Sequence, residues 1–191
     1  ISPFSSIENE CIKFFYVGRI CYVKGIHVLL QAFSKLTEDN VELHLIGGAG
    51  NKEECRYMAQ LQRKYKKDSR IIWHGKVEPK QVFDEIKNMH VLVLPSICLE
   101  IFGLNIAESL AMGKVVLATQ CGGAEMQIED GSNGWLIEPN NVEVLRTKME
   151  EIISNKKKFH LMKSKQVVSI ERHCNTLLEL YLKEIQVSSL F

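Results

Sequence analysis

The stretch Val91-Leu92-Val93-Leu94-Pro95-Ser96-Ile97-Cys98-Leu99-Glu100-Ile101-Phe102-Gly103-Leu104-Asn105-Ile106-Ala107-Glu108 passes from an unbroken apolar run to an amphipathic one. That change of period marks a buried strand feeding a helix, expected over about residues 102 to 112 and stopped by Gly113 at its C′ position. Glu100 and Glu108 stand eight residues apart, one at the mouth of the strand and one inside the helix, so both can reach one small polar ligand. Between them Phe102-Gly103 opens the helix. Free backbone N–H groups and the positive end of the helix dipole there favour an anion such as phosphate. A ligand with hydroxyls on both sides of a diphosphate suits the arrangement, and nucleotide-sugars are such ligands.

Outward from this stretch, apolar strand-like runs alternate with amphipathic helical ones. Strands are expected over about 14–17, 41–46, 70–74, 91–94, 115–119 and 135–137. Helices are expected over about 26–36, 52–65, 79–88 and 102–112, in a short turn after Cys121, and over about 142–153 and 157–185. This order predicts an α/β fold with a doubly wound, parallel six-stranded sheet of Rossmann-like type. Ligands of such sheets sit beyond the C-terminal strand ends, where the strand order reverses. Gly18, Gly47-Gly48, Gly75, residues 95–103 and Gly122-Gly123 are expected to line that rim. Residues 1–12 read as a linker, 13–155 as the ligand-binding domain and 156–191 as C-terminal helices packed on it. The start at Ile1, without Met, points to a further segment upstream.

Composition narrows the class. With 191 residues, 46% apolar and 25% charged, the chain suits one sizeable core. A net charge of +1 gives no electrostatic footprint for nucleic acid, and Lys156-Lys157-Lys158 reads as a solvated helix end. No apolar run approaches the roughly 18 residues of a membrane span. No signal peptide is evident either. The six cysteines, at 11, 21, 55, 98, 121 and 174, form no CxxC and read as reduced thiols, which favours a cytoplasmic setting. Cys98 and Cys121 flank the expected cleft without the partners of a nucleophile. The six histidines show no metal spacing.

Taken together, Val17-Gly18-Arg19, Lys24-Gly25, Leu45-Ile46-Gly47-Gly48, His74-Gly75, Leu94-Pro95-Ser96, Glu100 with Phe102-Gly103 and Glu108, Gly122-Gly123 with Glu125, and Asp130-Gly131 with Gly134 follow a familiar order. Over roughly residues 13 to 155 the chain resembles the C-terminal half of family 4, or group 1, glycosyltransferases, and Glu100 to Glu108 resembles their E-x7-E signature. The resemblance implies one half of a GT-B fold, the half that holds the nucleotide-sugar donor, with a separate N-terminal acceptor domain. It implies a retaining hexosyltransferase of class EC 2.4, moving a hexosyl group from an NDP-sugar to an acceptor hydroxyl in polysaccharide, glycolipid or glycoprotein glycan synthesis. The isolated half is expected to bind donor without turning over. Any peripheral membrane association would come through the other half.

By the same resemblance Arg19 and Lys24 hold the donor diphosphate, roles that a guanidinium fork and an ammonium suit. Glu108 accepts ribose hydroxyls, Glu100 lies at the sugar and the reacting centre, and Phe102, Gly103 and Leu104 form the turn whose amides approach sugar and phosphate. Lys76 and Val77 contact the base through the main chain, and Gly18 and Gly48 join the donor-binding set. Neither metal nor other cofactor is implied, and the chain carries no DxD. Each residue also has a plainer reading. Arg19 can pair with a surface Glu, Lys24-Gly25 can simply start a helix, and Glu125 can cap one. Glu108 is harder to dismiss, because among Leu104, Ile106, Ala107 and Leu110 a carboxylate needs a partner or a ligand. Two departures stand out: Ile101 replaces a small residue before Phe-Gly, and Lys114-Val115 replaces a small residue and Pro. Alternatives are an epimerase or a regulatory nucleotide-sugar-binding module. A dinucleotide-binding dehydrogenase fails, since Gly18-Arg19-Ile20-Cys21 does not continue as G-x-G-x-x-G.

Overall fold

The computed structural model describes residues 11–156 and 162, and in it the run Val91–Leu94 is a fully buried strand, β4. Beside it lies β1 (Ile12–Val17), in a parallel six-stranded sheet ordered β3-β2-β1-β4-β5-β6. The other strands are β2 (Val41–Ile46), β3 (Ile71–Gly75), β5 (Val115–Thr119) and β6 (Gly134–Ile137). Strands covered on both faces have no solvated side, so β4 and β5 are apolar at consecutive positions rather than alternate ones. The register runs Ile12 to Val41 through Val17 to Ile46 on one flank of β1, with Phe14 and Phe15 opposite Val91 and Leu92 on the other. The chain therefore winds outward from β1 to β3, returns to the centre, and winds the opposite way from β4 to β6. That reversal leaves a crevice between the C-terminal ends of β1 and β4.

Among the described residues six helices cover the sheet: α1 (Ile26–Phe33), α2 (Lys52–Tyr65), α3 (Pro79–Ile86), α4 (Leu104–Ala111), α5 (Gly123–Gln127) and α6 (Val142–Ser154). α1 buries Val28, Leu29, Ala32 and Phe33 and packs against α6, which buries Leu145, Met149 and Ile152. Asn51 caps α2 by accepting from the Glu54 N–H at 2.9 Å, and Asn141 caps α6 by accepting from Glu143 and Val144. α1 stops at Phe33 rather than near residue 36 because Lys35 and Leu36 donate to carbonyls three residues back, tightening the last turn. Leu36 is still buried, which is why its periodicity read as helix. α3 ends two residues early in the same way, with Met89 N bonded to Ile86 O. A 3₁₀ turn, Tyr22–Lys24, was not anticipated. The expected helix over 157–185, and most of the expected linker, lie outside the described residues.

Lys114 has a structural use at its unusual position. Its ammonium donates to the carbonyls of Lys87 and Met89, tying the start of β5 to the end of α3, and burial pulls its pKa down. Arg70 makes a similar tie at the opposite side of the sheet. Its Nη1 donates to Leu36 O and Glu38 O at 2.9 and 2.8 Å, while Nε and Nη2 grip the two oxygens of Asp68. These bonds hold the Asp68 carboxyl below its ordinary value. A carboxyl depressed in the native state stabilises it above the unfolded pKa of about 3.9, and that contribution is lost as pH falls through the native value. Asp68→Asn is therefore expected to lower stability by about 1 kcal/mol at pH 7. Urea titrations at a series of pH values should show the gap between the two proteins closing below about pH 4.

Candidate functional site

Both walls of the crevice follow from local chemistry. After β1 the Tyr16 hydroxyl donates to Arg19 O at 2.8 Å, and burial raises this phenol's pKa, which keeps it a donor. Ile20 N bonds Gly48 O at 2.9 Å, joining this loop to the glycine pair after β2. Opposite, the segment after β4 is stitched to the first wall at three places. Ile97 N donates to Val23 O at 2.9 Å, and the Asn105 side-chain amide donates to Val17 O at 2.8 Å. Gly25, left-handed at φ 68°, leans so closely on Pro95 that a Cβ there would lie 1.9 Å from the Pro95 carbonyl oxygen. Lys24 and Glu100 meet across this seam as an ion pair, their side chains 25% and 26% exposed.

Glu100 is fixed from several directions. Its Oε1 takes the Lys24 ammonium and also the Ser96 hydroxyl, at 2.6 Å. Its N–H donates to Cys121 O at 2.9 Å and its carbonyl accepts from Gly123 N at 2.7 Å, a one-residue parallel bridge to Gly122. The Phe102 main chain lies against Gly123, where a Cβ would meet it at 2.6 Å, and the Gln127 amide donates to Phe102 O. Held this way, the loop leaves Leu99, Ile101, Leu104 and, on α5, Met126 at 68% exposure or more.

The structure brings some predicted residues together and separates others. Lys24, Glu100 and the Gly103 turn converge at the end of β4. Gly103, at φ 74°, is the N-cap of α4, so the helix begins at Leu104 rather than at Phe102. Gly18 and Gly47 touch, and Gly48 adjoins Lys76, which is exposed beyond β3, while Val77 packs partly against the core. Arg19 is 57% exposed and sits 3.5 Å from Glu54 of α2. The crowded face expected around Glu108 is not there. α4 buries Ile106, Ser109 and Leu110, and the 100° step of a helix leaves Leu104 and Glu108, one turn apart, on the solvated face. Its carboxylate is exposed to solvent. Glu125 is likewise exposed in the first turn of α5.

Enclosed space between Ser96, Glu100, Asn105 and Thr119 amounts to about 10 Å³, room for one water at most. A larger open groove, about 500 Å³, is lined by Arg19, Tyr22, Glu54, Arg56 and Tyr57. Among the described residues no cluster of three His, Cys, Asp or Glu could hold a metal ion, and no helix is long and apolar enough to cross a membrane. Sequence reasoning missed Ser96 and Asn105 as site builders. Their signal is weak: each is one small polar residue in an apolar setting.

With this geometry in view, the comparisons with known proteins agree on one family. The model of group 1 glycosyl transferases matches residues 2–166, and the chain belongs to that family. A sucrose synthase of Melioribacter roseus is 31% identical over 162 residues, covering 76% of this chain and 20% of the synthase. Among solved structures, Anabaena HepE in complex with UDP and glucose superposes with a TM-score of 0.76 at 22% identity, over 94% of this chain and 50% of HepE. The C-terminal domain of the Francisella tularensis group 1 glycosyl transferase LpcC gives 0.72 at 25% identity, covering 80% of each chain. The expected Rossmann-like, GT-B-type architecture is thus what the fold shows, and the chain spans at most half of the full-length relatives named here.

The seam between the walls can be tested through two left-handed glycines. Gly113→Ala, at φ 72° with open space around it, is expected to cost about 1 kcal/mol from strain alone. Gly25→Ala must also displace Pro95, and urea denaturation should show a loss at least about 2 kcal/mol larger.

Proposed function

We propose that this chain is the donor-binding half of a retaining glycosyltransferase that moves a hexosyl group from a nucleotide diphosphate sugar to an acceptor hydroxyl. The observation that carries the reading is the meeting of Lys24 and Glu100 at the switch in strand order, against the helix-opening turn at Gly103. In this reading the leaving diphosphate lies over Gly18 and the Gly103 turn. Arg19 and Lys24 supply the positive charge that a departing diphosphate needs. Both cations now face carboxylates, Glu54 and Glu100, so donor binding exchanges ion pairs rather than filling an empty cationic cup.

Glu100, released from Lys24, faces the sugar and either orients it or stabilises oxocarbenium-like charge. Glu108, solvated on α4, exchanges bound water for the ribose hydroxyls. Lys76 and Val77 offer main-chain contacts to the base, with Gly48 beside them, and Phe102 and Leu104 flank the sugar. The acceptor is held by a part of the protein outside this half. Uridine leads the candidate bases because HepE, whose fold this chain shares, is described with UDP and glucose bound.

Titration calorimetry of the 191-residue chain with UDP, GDP and ADP tests the reading. At least one is expected to bind with a Kd on the order of 0.1 to 1 mM, about 4 to 5.5 kcal/mol. No heat up to several millimolar, with the fold intact, rejects the donor site. Glu108→Gln should weaken nucleotide binding roughly tenfold, and Glu129→Gln, an exposed control, should leave it within about twofold. Equal effects would remove Glu108 from the ribose.

A further inference from the structure

We propose that Ser96 is the positioning residue of the sugar subsite: its buried hydroxyl holds Oε1 of Glu100, so that Oε2 stays aimed at the hydroxyls of the transferred sugar. This rests on the donor-site reading above and adds to it the element that gives Glu100 one orientation. Ser96 is 2% exposed, and its carbonyl accepts from Thr119 Oγ1 at 2.7 Å and Cys121 Sγ at 3.2 Å, both residues buried at the end of β5. The serine is thereby a rigid extension of the sheet. Both polar contacts of the Glu100 side chain, from Ser96 and from Lys24, fall on Oε1, and Oε2 takes part in neither.

The two donors differ in permanence. Lys24 is the cation that a diphosphate would draw away, and a long flexible ammonium can follow it. Ser96 has nowhere to go. Once the diphosphate recruits Lys24, Ser96 is the remaining protein donor on Oε1 and alone restrains the carboxylate. Its contribution then appears when a sugar is attached to the nucleotide and is absent for the nucleotide itself.

The test compares Ser96→Ala and Ser96→Cys with the wild-type 191-residue chain. Titrations use UDP and, in parallel, UDP-glucose, UDP-galactose and UDP-N-acetylglucosamine, with melting temperatures measured alongside. The quantity read is the sugar increment, Kd for UDP divided by Kd for the best UDP-sugar. UDP affinity is expected to stay within about twofold in both variants while the increment falls at least about threefold, the scale of losing one hydrogen bond to a charged group. Cys keeps the volume but donates poorly, so it should follow Ala. Increments equal to wild type, or a loss of UDP affinity as large as that of UDP-sugar, overturn the assignment, as does a wild-type chain that binds UDP with no increment for any sugar. A wild-type chain that binds neither UDP nor UDP-sugars sinks the donor-site reading and this assignment together.

Discussion

Everything at the crevice depends on the parallel pairing of β1 with β4. Phe14 and Phe15 lie opposite Val91 and Leu92, and just below them Lys13 N donates to His90 Nδ1, 77 residues further along the chain. This contact joins the two halves of the doubly wound sheet. It sets the loop after Val17 beside the loop after Leu94, and it leaves their polar ends unpaired by any further strand. Backbone groups there must find partners in loops, side chains or ligand. Ile97 with Val23, and Asn105 with Val17, are the partners the protein supplies.

The seam is narrow because its parts are small where they touch. Gly25 lies on Pro95, and Gly123 lies under Phe102. Each close approach removes a degree of freedom from a loop that would otherwise wander. Glu100 gains the most, with its N–H, its carbonyl and one carboxylate oxygen all committed. A carboxylate anchored on one side only, beside the mouth of a sheet, is a directional acceptor.

Much of the architecture was legible in the sequence. β2, β4, β5 and α2 fall where the apolar runs and charge pattern put them, because buried parallel strands have an unmistakable composition and Gly47-Gly48 closes β2. Helix ends were less legible, since Leu36 and Met89 stay in the core after the hydrogen bonding has changed from four residues back to three. At the site, Lys24 and Glu100, both singled out from the motif order, pair with each other across 76 residues, a contact the motif order did not announce. Which Glu pairs with Arg19, and the solvation of Glu108, were not legible. Arg19 turns to α2, which no local pattern announces, and the face of α4 that bears Glu108 depends on where its first turn starts. Ser96 was quoted only as part of a motif, although it is the residue that holds Glu100.

The ion pairs of the crevice have a kinetic consequence. Lys24 is already compensated by Glu100, and Arg19 by Glu54, so the ligand-free rim presents little net field to its surroundings. A polyanion drifting nearby gains scant steering, and its capture frequency should change little with ionic strength. In the proposed donor complex, attraction would switch on at contact, as phosphate oxygens replaced carboxylates around the two cations. On that proposal, selectivity for a diphosphate over other anions would come from geometry at short range rather than from charge felt at a distance.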